Sequence, residues 1–84
     1  MVLKKKTVLK SINMHGEGVC VDFFQRVDGS FGFEEYRRDF EDARGWFPIG
    51  SYSRKSFTSL DEAKQTALLN ISWLREEAGN LEDF

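Results

Sequence analysis

The chain has 84 residues, room for one domain, and a domain this short buries little more than about 60% of the surface that its unfolded form exposes. With 40% hydrophobic and 31% charged residues it has a globular composition, neither disordered nor membrane-spanning, and no apolar run approaches the roughly 20 residues that cross a bilayer. A net charge of −2 argues against a general polyanion binder, and a lone cysteine, Cys20, permits no internal disulfide, which fits a reducing, cytoplasmic compartment.

The opening stretch MVLKKKTVLKSI carries Lys4, Lys5, Lys6 and Lys10 but no apolar segment ending in a small-residue cleavage site, so no signal peptide and no membrane attachment are expected. Residues 1–6 read as a disordered basic arm and residues 80–84 as an acidic tail of a single domain spanning 1–84. Residues 7–13 are β-branched enough for a short strand, although Val8, Leu9 and Ile12 do not alternate cleanly. A turn at His15-Gly16-Glu17-Gly18 then precedes VCVDFFQRV, a strand that points Val19, Val21 and Phe23 one way and Cys20, Asp22 and Phe24 the other.

Asp28-Gly29 marks a hairpin with two competing registers. A two-residue loop pairs Phe24 with Phe33; a three-residue loop from Val27 to Gly29, with Gly29 left-handed, pairs Phe23 with Phe33 and Gln25 with Phe31. The second is preferred, because it gathers Val19, Val21, Phe23, Phe31 and Phe33 on one face, and a slip of one residue scatters them. The strand SFGFEEYRR follows, then a charged connection over 39–45, then GWFPIGSY, whose proline Pro48 has no N–H for a ladder and fits an edge or a bulge.

Ser59 to Gly79 reads as one helix. Ser59 and Glu62 have the spacing of a capping box, and Gly79 suits a left-handed closure. Leu60, Ala63, Ala67, Ile71, Leu74 and Ala78 form one narrow stripe facing the core. The fold class expected is α+β: an antiparallel sheet of three strands, four if residues 7–13 join, packed against one C-terminal helix in a β-β-β-α order.

Phe31-Gly32-Phe33-Glu34-Glu35-Tyr36 resembles the aromatic submotif of RNA recognition motifs and cold-shock domains. Asp28 instead of a base, the inserted Ser30 and the acidic Glu34 weigh against it, and Phe31 and Phe33 read as core. On the other face Phe24, Arg26, Tyr36 and Arg38 form an aromatic and arginine set, the ingredients of a base-stacking surface. Neighbouring acids cancel the charge, so nucleic-acid binding is the disfavoured alternative. The three-strands-then-helix order also looks like plant-type DNA-binding domains, through Gly50, Phe57 and Asp61-Glu62-Ala63, but lacks their dense arginine and tryptophan pattern.

His15 and Cys20 supply neither a metal-ligand set nor a nucleophile with its base, so no catalytic residue, metal or cofactor is expected. Leu69 and Trp73, four apart and opposite the core stripe, need cover from the chain ends or from another molecule. The expectation is a small non-enzymatic protein-interaction or self-assembly module that uses this pair and an edge strand, with a homodimer or another protein as partner.

Over Val19 to Trp73 the segments GVCVDFF, DGSFGFE and GWFPIGSYS resemble small bacterial proteins of about this length. More loosely the chain is similar to the short β-β-β-α domains repeated in YegP-like bacterial proteins, where an Asp-Gly hairpin is followed by a Tyr-Ser-x-Lys segment, here Tyr52, Ser53 and Lys55. Those domains start their helix almost at once, whereas here Ser56 to Thr58 intervene. The resemblance implies the fold and a bacterial cytoplasmic origin, and leaves function open.

Overall fold

A computed structural model describes residues 6–14, 18–38 and 45–79; the arm up to residue 5, the turn residue His15, most of the charged connection and the tail 80–84 lie outside the described residues. Four antiparallel strands, β1 (Lys6–Met14), β2 (Val19–Arg26), β3 (Phe31–Arg38) and β4 (Trp46–Pro48), lie side by side in chain order. Two helices follow, α1 (Leu60–Asn70) and α2 (Ser72–Gly79). The architecture is α+β with a meandering sheet.

The N-terminal segment is a full edge strand of 9 residues that already includes Lys6, which the sequence assigned to the arm. Its uneven apolar spacing has a local cause. The register shifts between Val8 and Lys10, so that Val8 pairs with Phe24 while Ile12 pairs with Val21, on opposite faces of the sheet.

The β2–β3 hairpin adopts the longer-loop register, with Phe23 opposite Phe33 and Gln25 opposite Phe31. Gly29 has φ of 90°, a conformation that costs a side-chain-bearing residue energy and glycine little. The Asp28 carboxylate accepts from the Ser30 N–H at 2.9 Å and from its hydroxyl at 2.7 Å, which fixes the turn. This pairing also holds the Asp28 carboxyl below its usual pKa.

Register decides the core. Ile12, Val21, Phe23 and Phe33 face Ala63, Ala67, Ile71 and Leu74 of the helical segment, all buried, with Phe31, Tyr52, Phe57 and Leu60 packed around them. Phe33 stacks on Tyr52 with ring centres 4.9 Å apart and on Phe57 at 5.9 Å. The small alanines bring α1 close to the sheet, and the rings fill the space beside them.

Strand β4 is short, and its Pro48 sits on the sheet edge opposite Tyr36, where a missing donor costs least. Beyond it the chain keeps to the flank of β3. Ile49 donates to the Glu35 carbonyl at 3.0 Å, a 3-10 turn spans Tyr52–Arg54, and Phe57 and Phe31 exchange two bonds of 2.9 Å each.

The single helix expected from the sequence is two. Ile71 has φ −116° and ψ 102°, an extended conformation that separates α1 from α2, although its own N–H still reaches the Ala67 carbonyl at 2.9 Å. Carbonyls at the end of α1 find side-chain donors. Asn70 Nδ2 donates to Thr66 O at 2.8 Å, and Arg75 Nη1 donates to Leu68 O at 2.6 Å and to Leu69 O at 3.2 Å. Helical spacing through Ile71 hid the break, because a polar Asn70 and a β-branched Ile71 weaken a helix without forbidding it.

The helix start also differs in detail. Ser59 Oγ accepts from the Glu62 N–H at 3.1 Å as expected, but the Glu62 carboxylate returns to Thr58, accepting from its N–H at 3.1 Å. Gly79 is the last helical residue of α2 and not a left-handed cap beyond it.

Candidate functional site on the open face of the sheet

The helices occupy the face of Val21, Phe23 and Phe33. On the other face the ladders align four rows: Lys6, Arg26 and Val8, Phe24, Gly32 at one end, Ser11, Asp22, Glu34 in the middle, and Asn13, Cys20, Tyr36, Pro48 at the other end. The two ends of this face have different chemistry.

At the first end Phe24, proposed from the sequence as an exposed stacking residue, is 1% exposed. The Lys6 ammonium lies 4.3 Å and the Arg26 guanidinium 5.0 Å from its ring centre. Gly32 permits this burial, because a Cβ there would sit 2.8 Å from the Phe24 ring and 2.9 Å from Arg26 Nη2. The glycine that made Phe31-Gly32-Phe33 resemble an RNA-binding motif thus serves a packing contact on the opposite face.

Arg26 is a clamp. Its Nη1 donates to Phe31 O at 3.2 Å, Ser56 Oγ at 3.3 Å and Ser30 Oγ at 3.4 Å, and its Nη2 donates to Lys55 O at 3.1 Å and to Ser53 O. Glu34, 1% exposed, binds the same loop from the neighbouring strand, accepting the Ser53 N–H at 3.0 Å and the Glu35 N–H at 2.9 Å. Together they hold 53–56 against the sheet. The Phe24, Arg26, Tyr36 and Arg38 set is therefore not one open surface: Phe24 is covered, Arg26 is committed to the fold, Tyr36 is half-buried and Arg38 is exposed.

At the second end lies a groove of about 320 Å³ lined by Ser11, Asn13, Cys20, Asp22, Tyr36 and Trp46. Trp46 stands 45% exposed. The Asp22 carboxylate accepts from the Ser11 hydroxyl at 2.5 Å. Burial and the charge of Asp22 push the Cys20 thiol up to about 11, and burial with Asp22, Glu34 and Cys20 raises the Tyr36 phenol. Both groups stay protonated at neutral pH. A thiol held neutral in this way is a poor nucleophile and a poor metal ligand, and among the described residues no cluster of three or more His, Cys, Asp or Glu could hold a metal ion.

Leu69 and Trp73 do not form the patch that their spacing predicted. Leu69 is 79% exposed, whereas the break at Ile71 turns Trp73 onto the sheet, where it packs against the core and its Nε1 donates to Glu35 Oε2 at 2.7 Å. Ile12 of the N-terminal strand belongs to the core that Trp73 packs against, and the tail residues Leu81 and Phe84 lie outside the described residues. Sequence reasoning missed Ser11, Asn13, Asp22 and Trp46 as companions of Tyr36. The parity of Asp22 with Tyr36 was legible, but Ser11 and Asn13 join them only because of the bulge in β1, and Trp46 only through the β3–β4 register.

Among the described residues no helix is long and apolar enough to cross a membrane. No family model matches this chain, and no curated protein or solved structure matches it either.

Proposed function

We propose that this chain is a small non-enzymatic protein-binding module of the cytoplasm that engages its partner through the open face of the sheet. The observation that carries the proposal is the groove beside Trp46: a half-exposed indole next to hydrogen-bonding groups is the combination that anchors protein contacts. The protonated thiol and phenol favour binding over chemistry. Sheet-edge assembly is the weaker form of the proposal, since β1 is bulged and carries Lys6 and Lys10, features that blunt an edge. Nucleic-acid binding loses support from the burial of Phe24, and Asp22 in the groove would repel phosphate.

A peptide-display selection on the intact chain, counter-selected against Trp46→Ala, tests the proposal. Peptides retained by the wild type and lost with the variant are expected. Retention that ignores Trp46, or no retention, sinks it. Oligonucleotides titrated at about 50 mM salt, where phosphate contacts are strongest, should not bind.

A further inference from the structure

We infer that the groove on the open face takes a basic side chain, the ammonium of a lysine or the guanidinium of an arginine on the partner polypeptide. This rests on the binding role proposed above and names the chemistry of the contact.

The groove has one formal charge among its lining groups, the carboxylate of Asp22. Cys20 and Tyr36 are neutral at physiological pH, so they neither cancel that charge nor add to it. The Ser11 hydroxyl donates to Asp22 Oδ1 and orients the carboxylate, which keeps further lone pairs for a charged donor. Trp46 and Tyr36 supply aromatic faces, whose electron-rich centres attract cations. A carboxylate that shares a groove with two aromatic residues complements a cation and opposes an anion.

Size points the same way. At about 320 Å³ the groove is at the small end of ligand sites, the scale of one or two side chains. Of the chain's own cations on this face, Lys6 and Arg26 are engaged at the other end, Lys6 over Phe24 and Arg26 over Phe24 and the 53–56 loop, while Arg38 stands beside the groove, opposite Trp46. The net charge of −2 adds a mild long-range attraction for a basic partner.

The test follows backbone amides of the labelled chain during titration with three acetylated pentapeptides, Gly-Gly-X-Gly-Gly, in which X is lysine, norleucine or glutamate. The lysine peptide should shift the amides of Ser11, Cys20, Asp22 and Tyr36 and the Trp46 indole, and bind about tenfold more tightly than the norleucine peptide at low salt. Asp22→Asn keeps the size and the acceptor for Ser11 while removing the charge, and should abolish that preference. Trp46→Leu, on the short edge strand, is the second variant and should weaken the lysine peptide selectively, with the amide spectrum of β2 and β3 reporting that either variant is folded. Norleucine binding as well as lysine would overturn the cation assignment and leave the binding role standing. Equal binding of all three peptides, or shifts outside the groove, would overturn the assignment too, and a groove that no peptide perturbs would remove both.

Discussion

At Arg26 one guanidinium serves acceptors on Ser30, Phe31, Ser53, Lys55 and Ser56 while lying over the Phe24 ring. A planar fork with five N–H groups can do this; an ammonium, with three donors at one point, cannot. Arg26→Lys should lower stability by about 1–3 kcal/mol in urea denaturation and speed amide exchange over 53–56. A second residue gives the molecule an alkaline limit. Cys20 is raised from 9.0 to about 11, by burial first and then by Asp22, so the native state holds the thiol proton more tightly than the unfolded state does. The contribution of this thiol is complete below pH 9.0 and is lost as pH climbs toward about 11. Tyr36 and Tyr52 shift in the same direction, mainly through burial, so they add to the alkaline loss. Urea midpoints measured from neutral to alkaline pH should therefore fall, and Cys20→Ala should flatten the fall without removing it; parallel curves would contradict the assignment.

Among the elements, the helical segment is where small sequence features had large consequences. Ile71 at the break and Leu74 beyond it are buried, so Ile71→Ala should cost about 2–5 kcal/mol, whereas exposed Leu69→Ala should change stability by less than about 0.5 kcal/mol. Equal costs at Ile71 and Leu69 would contradict the burial of Ile71. The same break seats Trp73 on β3. Its indole N–H to the Glu35 carboxylate is a charge-assisted bond, and a cycle of Trp73→Phe with Glu35→Gln should show a coupling of about 0.5–3 kcal/mol. Additive effects would show that the two side chains act independently.

For the whole molecule the asymmetry of the sheet matters most. One face carries the helices and the apolar core, while the other is divided between a closed end at Phe24 and an open groove at Trp46. Central strands β2 and β3 are paired along their lengths, whereas β1 is an edge strand among the described residues and β4 spans 3 residues. Hydrogen exchange should accordingly be slowest at Val21, Phe23 and Phe33 and much faster across β4. Uniform protection over all four strands would contradict this order. The groove lies where β1, the centre of the sheet and β4 meet, so a partner bound there would slow exchange in both outer strands.

The sequence by itself determined the fold class, the β2–β3 register and the core stripe of the helices. Each rests on a short period or a local turn: alternation at Val19, Val21 and Phe23, Gly29 in the hairpin, and the spacing of Ala63, Ala67, Ile71 and Leu74. Tertiary structure alone decided what depends on contacts between distant segments. The bulge after Val8 set which face Ser11 and Asn13 occupy, the return of 53–56 to Arg26 and Glu34 closed over that part of the sheet, and the break at Ile71 moved Trp73 from solvent to Glu35. Period fixes the direction of a side chain within an element, but where elements shift, break or fold back, the neighbours it meets are set by packing.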